Sequence, residues 1–121
     1  MAKTGVIKIT QRADFDAVMS AGVSASTSHF ALHIHRPALR NRIGAVVPKR
    51  WAKNAVTRNA IKRQIYALAV QSQFQLEAAD MVVRLRKTFP RTEFISAASL
   101  ALKQAVRTEL RQLFDKALQT P

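Results

Sequence analysis

The stretch RIGAVVPKRWAKNAVTRNAIKRQ, residues 42–64, contains the change of apolar spacing that decides the fold. Its first six residues, Arg42–Val47, have the composition of a β-strand, and the proline that follows stops the strand. From about Ala52 to Val70 the apolar residues recur at helical spacing instead. The buried stripe of this helix is predicted to contain Ile61, Ile65 and Leu68. The stretch therefore predicts a strand followed by an amphipathic helix.

The second half of this stretch, residues 49–64, carries six cationic side chains and no acidic one. On a helix, Arg58 lies over Lys62 and Asn59 over Arg63, in two columns roughly opposite the apolar stripe. Like charges four residues apart destabilise an isolated helix by about 0.2 to 0.5 kcal/mol per pair. A phosphate-rich partner would supply the missing counter-charge, because arginine forks and lysine point charges both bind phosphate oxygens.

We therefore predict a phosphate-binding surface on this helix and on the loop before it. Its predicted members are Lys49, Arg50, Lys53, Arg58, Asn59, Lys62 and Arg63. If about five of them contact phosphates, RNA affinity should fall roughly a thousandfold between about 50 and 200 mM salt. A solvated charged surface with no specific ligand is the alternative interpretation.

Composition supports a polyanionic partner. The 121 residues are 48% apolar, enough for a core, and predict one domain over residues 1–121. Twenty Lys and Arg against seven Asp and Glu give a net charge of +13, more than solubility requires. The sequence contains no apolar run long enough for a membrane span and no signal peptide, so we expect a cytoplasmic protein without a membrane partner. The absence of cysteine excludes disulfides, thiolate zinc sites and cysteine nucleophiles.

Patterns elsewhere predict four further elements. The first is a helix over Thr10–Ala21, with Thr10 as N-cap and Gly22 as its stop, and the next two are a half-buried strand over His29–His35 and a buried strand over Asp80–Arg86. The last is a helix from Thr92 to about Leu118, with Thr92 as N-cap, Glu93 in its first turn and an apolar stripe from Phe94 to Ala117. The polar stretch 23–28 is interpreted as a loop.

The order helix, strand, strand, helix, strand, helix predicts an α+β fold, a two-layer α/β sandwich in which helices pack on a small mixed sheet. The strands over residues 29–35 and 42–47 are joined by a short connection. We therefore expect these two strands to pair antiparallel.

The stretch 42–64 resembles the bacterial ribonuclease P protein subunit, whose pattern is R-[IV]-G-x-x-V, then two basic residues, then R-N-R-x-K-R. The matching positions are Arg42, Ile43, Gly44, Val47, Lys49, Arg50, Arg58, Asn59, Ile61, Lys62 and Arg63. ADFDAVMSAG, HFALHI and AADMVVRLR are similar, in the same order, to the first helix, the next strand and a later strand of that family. Ala60 departs from the pattern, because it replaces the second arginine of R-N-R.

The resemblance implies a protein subunit that binds the catalytic RNA of ribonuclease P and assists removal of the 5′ leader from precursor tRNA. The resemblance also implies that the RNA holds the magnesium and the catalytic centre, that this chain has no catalytic or metal-binding residue, and that no protein partner is required. Composition agrees, because Asp14 and Asp16 are the one close pair of acidic residues and do not form a two-metal carboxylate cluster. The fold implied contains a left-handed β-α-β crossover.

In the family, the first helix and the next strand line a cleft for the single-stranded leader. Carried over, the resemblance places Phe15, Met19 and His33 in that cleft, with Phe15 and His33 stacking on a base and Met19 packing against one. His33 stands where an aromatic residue, often tyrosine, is usual.

Three histidines, His29, His33 and His35, share one face of the predicted strand and raise the alternative of a zinc site. Residues on one strand face are about 6.6 Å apart and do not converge on one ion unaided. We therefore prefer cleft lining.

Some residues keep two interpretations. Trp51 is either a base-stacking residue or a core anchor. Arg84, Arg86, Lys87 and Arg91 are either a second RNA-contacting patch or a solvated loop. Two other functions remain open for the whole chain: a general or ribosomal RNA-binding protein, and a protein that binds a membrane surface. The second would need large apolar residues facing lipid, and those of the basic helix are already assigned to the predicted core.

Overall fold

A computed structural model of the chain describes residues 7–35, 41–72, 79–89 and 100–119. Its elements are β1 (Ile7–Lys8), α1 (Arg12–Ser20), β2 (Ala25–Ser26), β3 (Phe30–His35), β4 (Arg42–Val46), α2 (Ala55–Ser72), β5 (Asp80–Leu85) and α3 (Leu100–Gln119). The predicted α+β class and the predicted order of the six main elements are confirmed. Two short strands, β1 and β2, were not predicted, and β2 lies in the stretch interpreted as a loop.

The five strands form one mixed sheet in the order β1-β4-β5-β3-β2. β5 pairs parallel with β4 and antiparallel with β3. The predicted antiparallel pairing of β3 with β4 is therefore wrong, because β5 lies between them. The continuous apolar middle of β5, Met81–Val83, fits this position, since a central strand is covered on both faces. The left-handed crossover of β4-α2-β5 stays a prediction from the resemblance.

The main core lies between one face of the sheet and helices α2 and α3. Strands β3, β4 and β5 contribute Phe30, Leu32, Ile43, Met81, Val83 and Leu85, and the helices contribute Ile61, Ile65, Leu68, Ala69, Leu102, Val106, Leu110, Leu113, Phe114 and Ala117. The predicted stripe of α2 is confirmed by the burial of its three residues. Sheet and helix pair thus form the two layers of the sandwich.

Helix α1 covers part of the opposite face of the sheet. Val18 packs there against Val82 and Ile9, with Phe15 and Met19 partly buried around them. The ring of Phe15 lies directly on Gly44, and a Cβ at that position would collide with the ring. Since this helix covers the second face of β3, Ala31 and His33 are buried, and the prediction of a half-buried strand is wrong. The alternation of the two faces of β3 is confirmed.

Two helix starts differ from the predictions. Helix α1 begins at Arg12 after an N-cap at Gln11, so Thr10 is not its cap. Helix α2 begins at Ala55, because Asn54 caps it: its Oδ1 accepts the backbone N–H of Val56 at 2.9 Å. Thr92, Glu93, Phe94 and Ala98 of the last predicted helix lie outside the described residues.

The predicted stop of α1 is confirmed. Gly22 has φ +87°, the left-handed conformation that favours glycine, and its N–H donates to the carbonyl of Met19 at 3.2 Å. Among the residues that the structure describes, no helix is both long enough and apolar enough to cross a bilayer.

Candidate RNA-binding surface

The loop between β4 and α2 presents the first three predicted phosphate-binding residues, Lys49, Arg50 and Lys53, all of which are exposed. The loop is held in a turn in which the N–H groups of Trp51 and Ala52 both donate to the carbonyl of Pro48 at 3.1 Å. The three cations therefore project from a fixed backbone at the end of β4.

Arg58 is partly committed to this loop. Its Nη1 donates to the carbonyl of Ala52 at 3.0 Å and to that of Lys53 at 2.9 Å. The prediction of a free phosphate fork must be corrected, because one terminal nitrogen of the guanidinium already fastens the loop to α2. The sequence could not show this, since the bond depends on where the helix begins.

The remaining predicted residues divide by exposure along α2. Asn59 and Arg63 are exposed, whereas Lys62 is partly buried beside the core stripe. Ala60 is only 8% exposed and faces the packed side of the helix. Five of the seven predicted residues, all except Arg58 and Lys62, are therefore exposed.

A second group of cations joins the first. Because β4 and β5 are parallel, Arg84, Arg86 and Lys87 come at the same end of the sheet as the basic loop. The Oγ1 of Thr88 donates to the carbonyl of Trp51 at 2.7 Å and links the two segments. Arg86 is partly structural, since its Nε and Nη2 donate to the carbonyl of Thr27 at 3.1 and 2.6 Å. Arg91 lies outside the described residues.

Trp51 is partly buried and packs against the main core, and the guanidinium of Arg50 lies 5.3 Å from the centre of its ring. Of the two interpretations of this tryptophan, the structure supports the core anchor. The cation on its ring fixes one exposed arginine of the loop.

The three predicted cleft residues lie where α1 packs on the sheet, a region that we call the groove. Phe15 and Met19 are partly buried in its wall. His33 is only 4% exposed, and its Nδ1 lies 2.8 Å from the carbonyl oxygen of Gly22. The expectation that His33 stacks on a base is not supported by this geometry, since a buried ring offers no free face.

The proton on His33 can be placed from its partners. A carbonyl oxygen accepts only, so Nδ1 must carry the hydrogen and Nε2 keeps its lone pair. That lone pair faces Nε of Arg84 at 3.4 Å. Burial lowers the pKa of His33, and the charge of Arg84 lowers it further, although the Gly22 hydrogen bond acts in the opposite direction. His33 is therefore neutral at pH 7.

Arg42, on the same face of the sheet, has acidic partners. Its Nε and Nη2 donate to the two carboxylate oxygens of Asp80 at 2.7 Å, and its Nη1 lies 3.3 Å from Oδ2 of Asp14 in α1. These bonds lower the pKa of the Asp80 carboxyl and raise that of the guanidinium. The fork thus anchors α1 to the sheet, a role that the sequence did not reveal.

The histidines and the acids that the structure describes do not converge on an ion. Nδ1 of His29 lies 2.7 Å from Oε1 of Glu109, and the ring stacks on Phe89 at 4.0 Å, whereas His33 bonds to Gly22 and His35 is exposed. Within the described ranges no group of three or more His, Cys, Asp or Glu side chains is placed to hold a metal. The residues described therefore do not fit a magnesium site of the protein's own.

Comparison with known proteins shows the family of this chain. Residues 5–118 match the Ribonuclease P protein family. The chain is 37% identical over 114 residues to the "Ribonuclease P protein component" of Ralstonia pickettii (91% of this chain, 78% of that protein), and 30% identical over 104 residues to that of Burkholderia mallei (86% and 76%).

Solved structures give the same result for the fold. The RNase P protein of Staphylococcus aureus superposes with a TM-score of 0.73 at 23% identity, covering 93% of this chain and 95% of that one. The RNase P protein of Thermotoga maritima gives 0.68 at 22% identity, covering 90% and 96%. Because the family match spans residues 5–118 and the Ralstonia pickettii relative is 37% identical over 91% of this chain, the chain belongs to the ribonuclease P protein family.

Proposed function

We propose that this chain is the protein subunit of a cytoplasmic ribonuclease P and binds the catalytic RNA through its basic end. The single observation that supports this most is the meeting of the loop after β4 with the end of β5, which gathers Lys49, Arg50, Lys53 and Lys87 without an acidic neighbour in the described loop or strand end. RNA phosphates would supply the counter-charge.

The groove between α1 and the sheet would receive the single-stranded 5′ leader of precursor tRNA. Phe15 and Met19 offer partly buried apolar surface on which a base can pack. His33 supports this groove from beneath rather than contacting the base.

Cleavage itself is assigned to the RNA. Three of the five acidic residues that the structure describes are engaged: Asp14 and Asp80 bind Arg42, and Glu109 accepts hydrogen bonds from Thr27 and His29. Magnesium bound by the partner RNA would supply the nucleophile and stabilise the leaving oxygen. The protein contributes affinity and position.

Reconstitution with a bacterial ribonuclease P RNA tests this function. At a magnesium concentration where the RNA alone is nearly inactive, adding the protein should restore cleavage of precursor tRNA at the mature 5′ end. An unrelated structured RNA of equal length, added as competitor, should inhibit only weakly.

A general or ribosomal RNA-binding protein is the alternative function. It would bind the competitor as tightly as the ribonuclease P RNA and would leave cleavage at low magnesium unchanged. That pair of results would contradict the proposal.

A further inference from the structure

The pairing register arranges the groove face of the sheet in three rows across strands β3, β5 and β4. The rows are His35–Asp80–Arg42, His33–Val82–Gly44 and Ala31–Arg84–Val46. Helix α1 packs on the first two rows through the bond of Asp14 to Arg42 and the Phe15 ring on Gly44. Arg84 occupies the centre of the third row, the row nearest the basic loop that follows β4.

Arg84 is partly exposed, and its Nε faces a neutral acceptor, Nε2 of His33. That acceptor is itself held by the carbonyl of Gly22, so the orientation of the guanidinium is set by a chain of two hydrogen bonds. With Nε directed at the imidazole, the terminal nitrogens are left for another partner. Among the described residues they have no hydrogen bond or ion pair.

The two arginines of this face differ in charge balance. Arg42 binds the carboxylates of Asp80 and Asp14, whereas Arg84 lies four residues along β5 from Asp80, about 13 Å away by strand geometry. At that separation the charge of the carboxylate is largely screened at physiological salt. An anion at the terminal nitrogens would gain charge-assisted hydrogen bonds that the neutral imidazole does not offer.

We propose that Arg84, oriented by His33, binds a backbone phosphate of the single-stranded leader in the groove between α1 and the sheet. The apolar wall of Phe15 and Met19 takes a base, and the guanidinium takes a neighbouring phosphate. The inference rests on the proposed function, because it assigns the groove to the leader.

The decisive measurement compares substrates in the reconstituted holoenzyme. Precursor tRNA with a long leader and the same tRNA with a single leader nucleotide are each titrated with wild-type protein and with Arg84→Met. We expect the substitution to weaken binding of the long-leader substrate about tenfold, as for a hydrogen bond to a charged group, and to leave the short-leader substrate unchanged. The salt slope for the long leader should fall by about 0.7.

The matched control is Arg111→Met, which removes an exposed arginine of α3 on the other side of the sheet. It should leave both substrates unchanged. If Arg84→Met weakens both substrates equally, Arg84 contacts the catalytic RNA or the tRNA body, and the proposal is wrong.

Neutral phosphate analogues locate the contact. Methylphosphonate substitution at one leader position should weaken binding to the wild-type protein and have no further effect with Arg84→Met. Additive losses at every leader position would overturn the assignment.

His33 is a positioning residue in this proposal. His33→Gln keeps a side-chain acceptor and should preserve most of the leader-dependent affinity, whereas His33→Leu should lose it as Arg84→Met does, with urea unfolding confirming that both fold. Equal affinities for the two variants would remove His33 from this role.

The two proposals fail separately. A wild-type protein that does not restore cleavage at low magnesium refutes the proposed function. Normal restoration together with an unchanged leader effect for Arg84→Met refutes only the inference.

Discussion

The two ends of the parallel pair β4 and β5 differ in how the charge of their cationic side chains is balanced. Where the strands begin, Arg42 is surrounded by Asp80 and Asp14 and its charge is balanced inside the protein. Where they finish, Lys49 and Arg50 are exposed and Arg84 meets only a neutral imidazole. The difference shows that Arg42, at the first end, stabilises the fold, whereas the cations at the second end are available to bind a ligand.

The largest effect is expected at the balanced end. Arg42→Met should lower the free energy of unfolding by about 3 kcal/mol, because it leaves two carboxylates without their partner. Urea denaturation measures this change. RNA affinity of the folded fraction should stay within about twofold of wild type, since the site lies at the other end of the sheet.

Adding Asp80→Asn to Arg42→Met sharpens the result. The double variant should be less destabilised than the sum of the single ones, because the unpaired charge has been removed. A loss below about 1 kcal/mol for the single variant would mean that the ion pair does not hold α1 on the sheet.

The open end should respond in affinity and not in stability. Removing Lys49 and Arg50 by alanine substitution should weaken binding to the catalytic RNA about twentyfold at about 150 mM salt, taking roughly 0.6 to 0.7 of a decade per phosphate contact. The slope of log affinity against log salt should fall by about 1.4 to 1.8. Filter binding at several salt concentrations measures both.

The control removes two exposed cations of α3, Lys103→Ala with Arg111→Ala, at the same cost in net charge. An equal loss of affinity in the control would show that total charge, rather than the basic end, attracts the RNA.

Arg58 is expected both to stabilise the fold and to bind RNA, so its substitution tests whether the two roles are separate. Arg58→Met should lower unfolding free energy by about 1 kcal/mol, since two bonds to loop carbonyls are lost. It should also weaken RNA binding about fivefold. If only one of the two quantities changes, the residue has a single role.

The smallest effect concerns pH. The pKa of His33 is lowered in the folded protein, so the unfolded chain binds this proton first and stability falls as pH decreases below about 6.5. The slope for one proton cannot exceed about 1.4 kcal/mol per pH unit. Arg84, the charged neighbour of the imidazole, opposes its protonation.

Urea unfolding between about pH 7.5 and 4.5 measures this dependence, with His33→Gln as the reference that keeps the other two histidines. The difference in stability between the two proteins should narrow as pH falls, on the acid side of 6.5 only. A constant difference would indicate that His33 titrates normally.

The sequence predicted the elements with strong apolar periods. The alternation of β3, the continuous apolar run of β5 and the stripe of α2 each report local burial, and each was found within a few residues of its predicted bounds. The basic loop was also predicted, because uncompensated charge is visible in composition.

Contacts between distant segments could not be predicted. The bond of His33 to Arg84 spans 51 residues and that of Arg42 to Asp80 spans 38, and no local pattern encodes either. The pairing of β3 with β5 depends on where the crossover through α2 returns the chain. Helix α1 covers the second face of β3, so the alternation of apolar and polar residues in this strand does not indicate a solvent-exposed face.

Successive side chains of β5 point to opposite faces of the sheet, and this fixes the pairing register of the strand. Val83 and Arg84 are adjacent, and they point to opposite faces of the sheet. A slip of one residue would drive the guanidinium into the main core and expose valine to water. The wrong register is therefore unstable because it buries an unpaired charge, and the native register is the one that places Arg84 on the groove face.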